Sequence, residues 1–142
     1  MPQHARTSNT FDVQVQTRYL PEQSDPAQRV YRFAYTITIT NEGNQSAQLI
    51  ARHWVIIDGS NQTEQVRGLG VVGQQPLLEP GESFEYTSSC QLQTASGTMQ
   101  GHYLCVTDEG DVFECPIETF ELIATDMPAG ISTRMSSSRL LH

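Results

Sequence analysis

The chain has no lysine. All eight of its basic residues are arginine, against sixteen acidic residues, and the formal net charge is −8. The absence of lysine excludes a Schiff-base lysine, a lysine general base and the lysine of a phosphate-binding P-loop. An acidic chain without a basic cluster is also a poor binder of the phosphate backbone. We therefore expect no direct nucleic-acid partner.

The chain also has no long apolar run and few cysteines. No segment approaches the about 18 apolar residues that a membrane span requires, and the first ten residues lack the apolar core of an export signal. We therefore expect a cytoplasmic protein with no membrane partner. Cys90, Cys105 and Cys115 are an odd number at wide spacings, which is typical of reduced thiols. Core packing is their simplest interpretation, and a redox pair or metal site at Cys105 and Cys115 remains open.

The chain also lacks apolar residues at the 3.6-residue spacing of an amphipathic helix. Apolar and polar residues instead alternate with period two along the chain. This pattern predicts an all-β chain of seven or eight short strands in two packed antiparallel sheets, an immunoglobulin or fibronectin type III-like sandwich. Turn signals such as Asp58-Gly59 separate the strands. Pro116 predicts an edge position or a bulge in the last strand.

The composition of the chain changes near its C-terminal end. Residues 1–126 suffice for one domain with an adequate core. From residue 127 onward the alternation is lost and serine becomes frequent. Residues 127–142 are therefore predicted to form a flexible C-terminal tail.

Three glycines, Gly68, Gly70 and Gly73, spell the pattern that cradles a pyrophosphate in dinucleotide-binding enzymes. In those enzymes a helix follows the glycines, and its N-terminal amides meet the phosphates. Here two prolines and a glycine within residues 74–81 exclude a helix. The sequence therefore predicts a surface loop between strands, with weak or absent nucleotide binding.

The glycine loop and its neighbourhood form the most plausible binding surface. Exposed glycine backbone permits close approach, arginine supplies a forked donor, and an aromatic ring supplies contact area. The candidate partner- or ligand-binding residues are Arg52, Trp54, Arg67, Gly68, Gly70 and Gly73. A purely structural role for Trp54 in the core, and for the arginines as caps of acidic neighbours, remains open.

No catalytic constellation is identifiable, since the serines lack a histidine and an acid in a strand-turn-helix context. His53 and His102 are the histidines available to an ordered site, and a strand histidine such as His53 is more typical of a packed core than of a ligand set. The acidic residues 108–114 would attract a divalent cation, although a charged hairpin tip is usually only solvated. We predict a protein that is not an enzyme, with no cofactor and no resident metal.

Several ordered segments together resemble the ApaG family. They are Tyr19-Leu-Pro-Glu22, Phe33-Ala-Tyr-Thr-Ile-Thr-Ile39, Arg52-His-Trp54, Val66-Arg-Gly-Leu-Gly-Val-Val-Gly73, Pro76, Pro80-Gly-Glu-Ser-Phe-Glu-Tyr-Thr-Ser88 and Gly97-Thr-Met-Gln-Gly-His-Tyr103. The resemblance covers residues 13–122. The segment Cys115-Pro-Ile-Glu-Thr-Phe120 departs from the family's proline-rich ending, which leaves the geometry of the last strand open.

The resemblance implies a fibronectin type III-like sandwich in a bacterial cytosolic protein, and an association with cobalt and magnesium efflux or resistance. Eukaryotic relatives attached to F-box proteins and to a DNA polymerase delta-interacting protein resemble interaction modules. We therefore predict a non-enzymatic protein-interaction module whose partner is another protein. The alternative is a regulatory protein that binds phosphate, nucleotide (pyrophosphate) or a divalent metal through the glycine loop. The oligomeric state stays open, a homodimer included.

Overall fold

The computed structural model describes residues 10–125 of the chain. Its strands are β1 (Phe11–Tyr19), β2 (Tyr31–Asn41), β3 (Ala47–Asp58), β4 (Thr63–Leu69), β5 (Leu77–Leu78), β6 (Ser83–Leu92), β7 (Ser96–Thr107) and β8 (Val112–Ile123). Two short 3-10 turns, Pro21–Gln23 and Pro26–Gln28, connect β1 to β2. The predicted flexible tail, residues 127–142, lies outside the described residues.

The strands form two antiparallel sheets. The first sheet has the order β1-β2-β6, and the second has the order β4-β3-β7-β8, with β5 paired to the start of β3. The prediction of an all-β chain with two antiparallel sheets is confirmed. The sequence did not indicate β5, because two residues are too few to show alternation. Within residues 10–125, no helix is long and apolar enough to span a membrane.

The alternation in β2 shows why these segments form a sandwich. Phe33, Ile37 and Ile39 have no exposed surface, and each such burial contributes about 1.5–3 kcal/mol. Thr36 lies on the opposite, solvated face, where its hydroxyl is 2.8 Å from that of Thr87 on β6. One face of the strand therefore belongs to the core and the other to solvent.

The last strand carries both features that Pro116 predicted. Strand β8 is the edge of the second sheet. Its pairing with β7 also shifts register between Met99 and Gly101, next to the pair formed by His102 and Pro116. Proline is tolerated here because an edge strand leaves one row of backbone groups unpaired.

The two sides of the sandwich differ. On one side β1 approaches β8, and the Cys115 sulfur lies 3.6 Å from the carbonyl oxygen of Phe11. On the other side β6 and β4 are the sheet edges. Between these edges lies a cleft of about 660 Å³, which we call the inter-sheet cleft; Tyr35, Arg52, Trp54 and Ser88 are among the residues that line it.

Candidate functional site

The glycine segment is the end of a strand followed by a tight hairpin turn. Gly68 lies within β4, and the main-chain groups of Val71 and Gln74 exchange hydrogen bonds of 2.8 and 2.9 Å. Val72 and Gly73, at the tip, have φ angles of 42° and 82°. Two successive positive φ angles are typical of a primed hairpin turn. No helix follows this turn within residues 10–125, so the pyrophosphate cradle of dinucleotide-binding enzymes is not formed.

Gly70 is a structural glycine rather than an exposed one. It is buried, has a φ angle of 64°, and donates its amide hydrogen to the carbonyl oxygen of Ile50 at 2.8 Å. A Cβ at this position would collide with the carbonyl oxygen of Gln74. The expectation that Gly70 offers exposed backbone to a partner is therefore wrong, whereas Gly73 is exposed at the tip of the turn.

Arg52 holds the glycine segment in place. Its Nη1 donates hydrogen bonds to the carbonyl oxygens of Leu69, at 3.0 Å, and Gly70, at 2.9 Å. Gly68 is the register partner of Arg52 on β4. The structure therefore brings the predicted residues Arg52, Gly68 and Gly70 together. Their contacts with one another stabilise the fold and do not by themselves form a surface for a partner.

Trp54 belongs to the core. Its side chain is 2% exposed, and its ring makes edge-on contacts with Tyr35, Phe120 and Tyr103, at centroid distances of 5.6, 5.9 and 6.5 Å. Aromatic pairs at these distances stabilise a core by about 0.5–1.5 kcal/mol beyond their burial. The expectation that Trp54 supplies contact area to a partner is corrected, because almost none of its surface is accessible.

The outer face of the second sheet carries a groove of about 620 Å³. Three of the predicted site residues, Arg52, Arg67 and Gly68, line this outer-face groove. Strand pairing brings the other lining residues beside them. In register, Arg67 pairs with His53 and His53 with His102, while the next row joins Leu69, Ala51, Leu104 and Glu114.

Two histidines from different strands meet in this groove. The rings of His53 and His102 lie 5.1 Å apart at an interplanar angle of 80°. The Nε2 atom of His53 is 2.9 Å from Oε1 of Gln65, and that of His102 is 3.6 Å from Oε2 of Glu114. Both histidines are partly exposed, so the expectation of a core role for His53 is wrong. The alternation along β3 could have predicted this exposure. His53 is next to Trp54, which faces inward, and neighbouring side chains of a strand point to opposite faces.

The groove also presents apolar surface to solvent. Leu69 is 74% exposed and Leu104 is 36% exposed. Sequence reasoning missed both leucines, because a single leucine in an alternating strand reads as core. Charged and polar side chains of Arg67, His102 and Glu114 surround the two leucines. An apolar centre with a polar rim is the usual composition of a protein-binding patch.

The acidic hairpin does not gather metal ligands. Asp108, Glu109 and Asp111 are exposed at the β7–β8 turn, and Thr107 Oγ1 accepts hydrogen bonds from the amides of Glu109 and Asp111. No group of three histidine, cysteine, aspartate or glutamate side chains within residues 10–125 is placed to hold a metal ion.

The cysteines are free thiols. Cys105 and Cys115 are buried and pair in register with Phe113 and Tyr103 rather than with each other. Burial raises the pKa of each of these thiols to about 12, and likewise that of Cys90. Since the thiolate is the reactive species, these side chains act as small apolar core residues.

Comparison with known proteins gives one consistent result. The family model of the ApaG domain matches residues 21–107. The chain is 59% identical over 130 residues to Protein ApaG of Acidovorax sp. (strain JS42), covering 92% of this chain and 93% of that protein. It is 61% identical over 110 residues to Protein ApaG of Bordetella pertussis, covering 78% and 84%. The crystal structure of the ApaA protein from Bordetella pertussis matches with a TM-score of 0.79 and 56% identity, covering 84% of this chain and 98% of that one.

Proposed function

Because the chain belongs to the ApaG family, we propose that it is a non-enzymatic protein-interaction module that binds another protein in the cytoplasm. The observation that carries this proposal is the exposure of Leu69, 74% of whose surface is accessible beside Leu104 in the outer-face groove. Burying an exposed leucine contributes about 1.5–3 kcal/mol, a sizeable share of a micromolar affinity of about 8 kcal/mol.

The rim of the groove supplies orientation rather than affinity. Arg67 is exposed and presents a forked donor that suits a carboxylate on the partner. The two histidines lie in the same register row as Arg67, and Glu114 follows Leu104 in the row of the leucines, so donors and acceptors border the leucines. Such a rim favours one docking register over others.

A pull-down with a matched leucine pair tests the proposal. Leu77 is 59% exposed on β5 and does not line the groove, so Leu77→Asp controls for the general effect of a new surface charge. In lysate of the producing organism, we expect Leu69→Asp to lose the partner that wild type and Leu77→Asp retain. Both variants should melt at the wild-type temperature. Equal retention by Leu69→Asp would contradict the role of the groove.

We also propose that the association with cobalt and magnesium efflux or resistance acts through this partner. A strain without the protein should become sensitive to cobalt, and the wild-type chain should restore resistance. Leu69→Asp should fail to restore it although Leu77→Asp succeeds. Complementation by both variants would separate metal resistance from the groove.

The second candidate, a regulatory binder of phosphate, nucleotide or metal at the glycine loop, has less support. The amides of Gly70, Val71 and Gln74 already donate to main-chain carbonyl oxygens at 2.8–2.9 Å. These groups are therefore occupied by the fold rather than directed at a ligand. Micromolar affinity for a nucleotide in an equilibrium titration would reverse this ranking.

A further inference from the structure

The charge of Arg52 has no carboxylate counterpart within residues 10–125. The ion pair found there joins His102 to Glu114. Among the same residues, Arg52 donates hydrogen bonds through Nη1 alone, to two main-chain carbonyl oxygens. The Nη2 and Nε donors of a half-buried guanidinium are left for another acceptor, and a partly desolvated charge of this kind favours an anion.

The guanidinium borders a small pocket between the sheets, which we call the Arg52 pocket. Its volume is about 170 Å³, and Tyr35, Trp54, Tyr86, Ser88 and residues 71–73 complete its lining. Burial raises the pKa of the Tyr35 and Tyr86 hydroxyls, and the charge of Arg52 acts in the opposite direction on both. The guanidinium and the two phenols line the same pocket.

Two hydroxyl groups of the pocket are suited to a ligand. Tyr35 and Ser88 are register partners on β2 and β6, and both line the pocket. A hydroxyl rotates, so either group can turn its proton toward an anion. The hydroxyl of Tyr86 is committed to that of Tyr103, at 2.6 Å.

We propose that the Arg52 pocket binds a single carboxylate group, paired with the guanidinium and hydrogen-bonded by Ser88 and Tyr35. A planar guanidinium fork matches the two oxygens of a carboxylate. The pocket is smaller than the about 300–1,000 Å³ of sites that enclose a whole drug-sized molecule. One positive charge in a chain with net charge −8 also disfavours a multiply charged anion such as phosphate or pyrophosphate.

The site is held ready before a ligand arrives. Two carbonyl oxygens and the backbone of Gly68 fix the guanidinium, so that little conformational entropy is lost on binding. The pocket shares Tyr35, Arg52, Trp54 and Ser88 with the inter-sheet cleft, which leaves room for the rest of the molecule that carries the carboxylate. It faces the space between the sheets and shares Arg52 with the outer-face groove, but Leu69 and Leu104 of the groove do not line it.

An NMR titration with sodium acetate tests the proposal, with sodium chloride at equal ionic strength as the reference. We expect saturable shifts at the Arg52 Nε–H group and at the amides of Ser88 and Gly73, with a Kd on the order of a few millimolar. Linear shifts identical to those in chloride would overturn the proposal. Tighter saturation by inorganic phosphate than by acetate would also overturn it.

Two variants test the pocket without changing Arg52, because the guanidinium of Arg52 also contributes hydrogen bonds to the fold. Ser88→Ala and Tyr35→Phe should each weaken acetate binding about five-fold, the equivalent of one hydrogen bond. Ser89→Ala is the matched control, because Ser89 is the next residue on β6 and lies on the exposed face. Unchanged affinity in both pocket variants, at wild-type melting temperature, would contradict the assignment.

A peptide and its amide distinguish the two possible sources of the carboxylate, a peptide C-terminus and a small organic acid. Trialanine carries a free C-terminal carboxylate, and trialanine amide carries none. Tighter binding of trialanine than of acetate identifies a peptide as the natural source, and the reverse order identifies a small acid. Binding of the amide as tight as that of the acid would overturn recognition of a carboxylate.

Discussion

The guanidinium of Arg52 lies across Gly68, its register partner on the neighbouring strand. A Cβ at position 68 would come within 2.8 Å of Nη2 of Arg52, closer than real side chains approach. The missing side chain therefore lets the arginine reach the carbonyl oxygens of Leu69 and Gly70. In this chain the first glycine of the pattern serves an intramolecular contact.

Gly68→Ala should displace the guanidinium and weaken its two hydrogen bonds. The end of a flexible side chain can move aside, so we expect a loss of only about 1–2 kcal/mol in the free energy of unfolding. Urea denaturation measures it. Thr63→Ala, at an exposed position of the same strand, is the control, and an equal effect in both variants would contradict the contact.

Gly70→Ala should destabilise the fold far more than Gly73→Ala. Both glycines have positive φ angles, 64° and 82°, but only Gly70 would press a Cβ against the carbonyl oxygen of Gln74. We expect about 3 kcal/mol or more for Gly70→Ala, against about 1 kcal/mol of backbone strain at Gly73. Thermal melting compares them, and similar losses would show that φ alone matters.

Asp58 should make stability depend on pH. Burial alone raises the pKa of its carboxyl, but hydrogen bonds from Gln62 and Ser60 outweigh burial, and the net pKa lies below its ordinary value of 3.8. The charge therefore stabilises the fold above pH 3.8, and this contribution disappears as the pH falls through the lower, folded-state pKa.

Asp58→Asn keeps the Oδ1 acceptor but removes the charge. Urea unfolding should find the variant less stable than wild type near neutral pH, with the difference shrinking below the ordinary pKa of 3.8. Asp111→Asn controls for the loss of one negative charge at another hairpin. A stability difference that is constant across the acid range would refute the role of the carboxylate charge.

Nucleotides should bind weakly. With three amides of the glycine segment already hydrogen-bonded and a net charge of −8, we expect ATP to bind no tighter than about 1 mM, roughly 4 kcal/mol. The amide shifts of Gly68, Gly70 and Gly73 report binding, with and without magnesium. Saturation at micromolar ATP would restore the nucleotide hypothesis.

Truncation after Met127 should leave the cooperative melt unchanged. The apolar core is already assembled from residues of β1 to β8. Residues 128–142 lack the alternation that forms a strand. A lower melting temperature in the truncated chain would show that this segment contributes to the domain.

Alternation by itself determined most of the fold. Successive side chains of a strand point to opposite faces. The alternate spacing of Phe33, Ile37 and Ile39 therefore predicts both a strand and its buried face. Pro116 likewise predicted an edge position or a bulge, because proline lacks an amide hydrogen to donate. Each of these signals is local and needs no knowledge of distant residues.

Tertiary structure alone decided the sites. Whether Arg52 meets Gly68, whether His53 meets His102, and whether Leu69 is exposed all depend on register and on the order of strands in the sheet. Register is a collective result of packing two sheets over one core, and a shift of one residue would exchange the faces of a whole strand. The glycine pattern is the clearest case, because its role follows from the arginine that strand pairing places beside it.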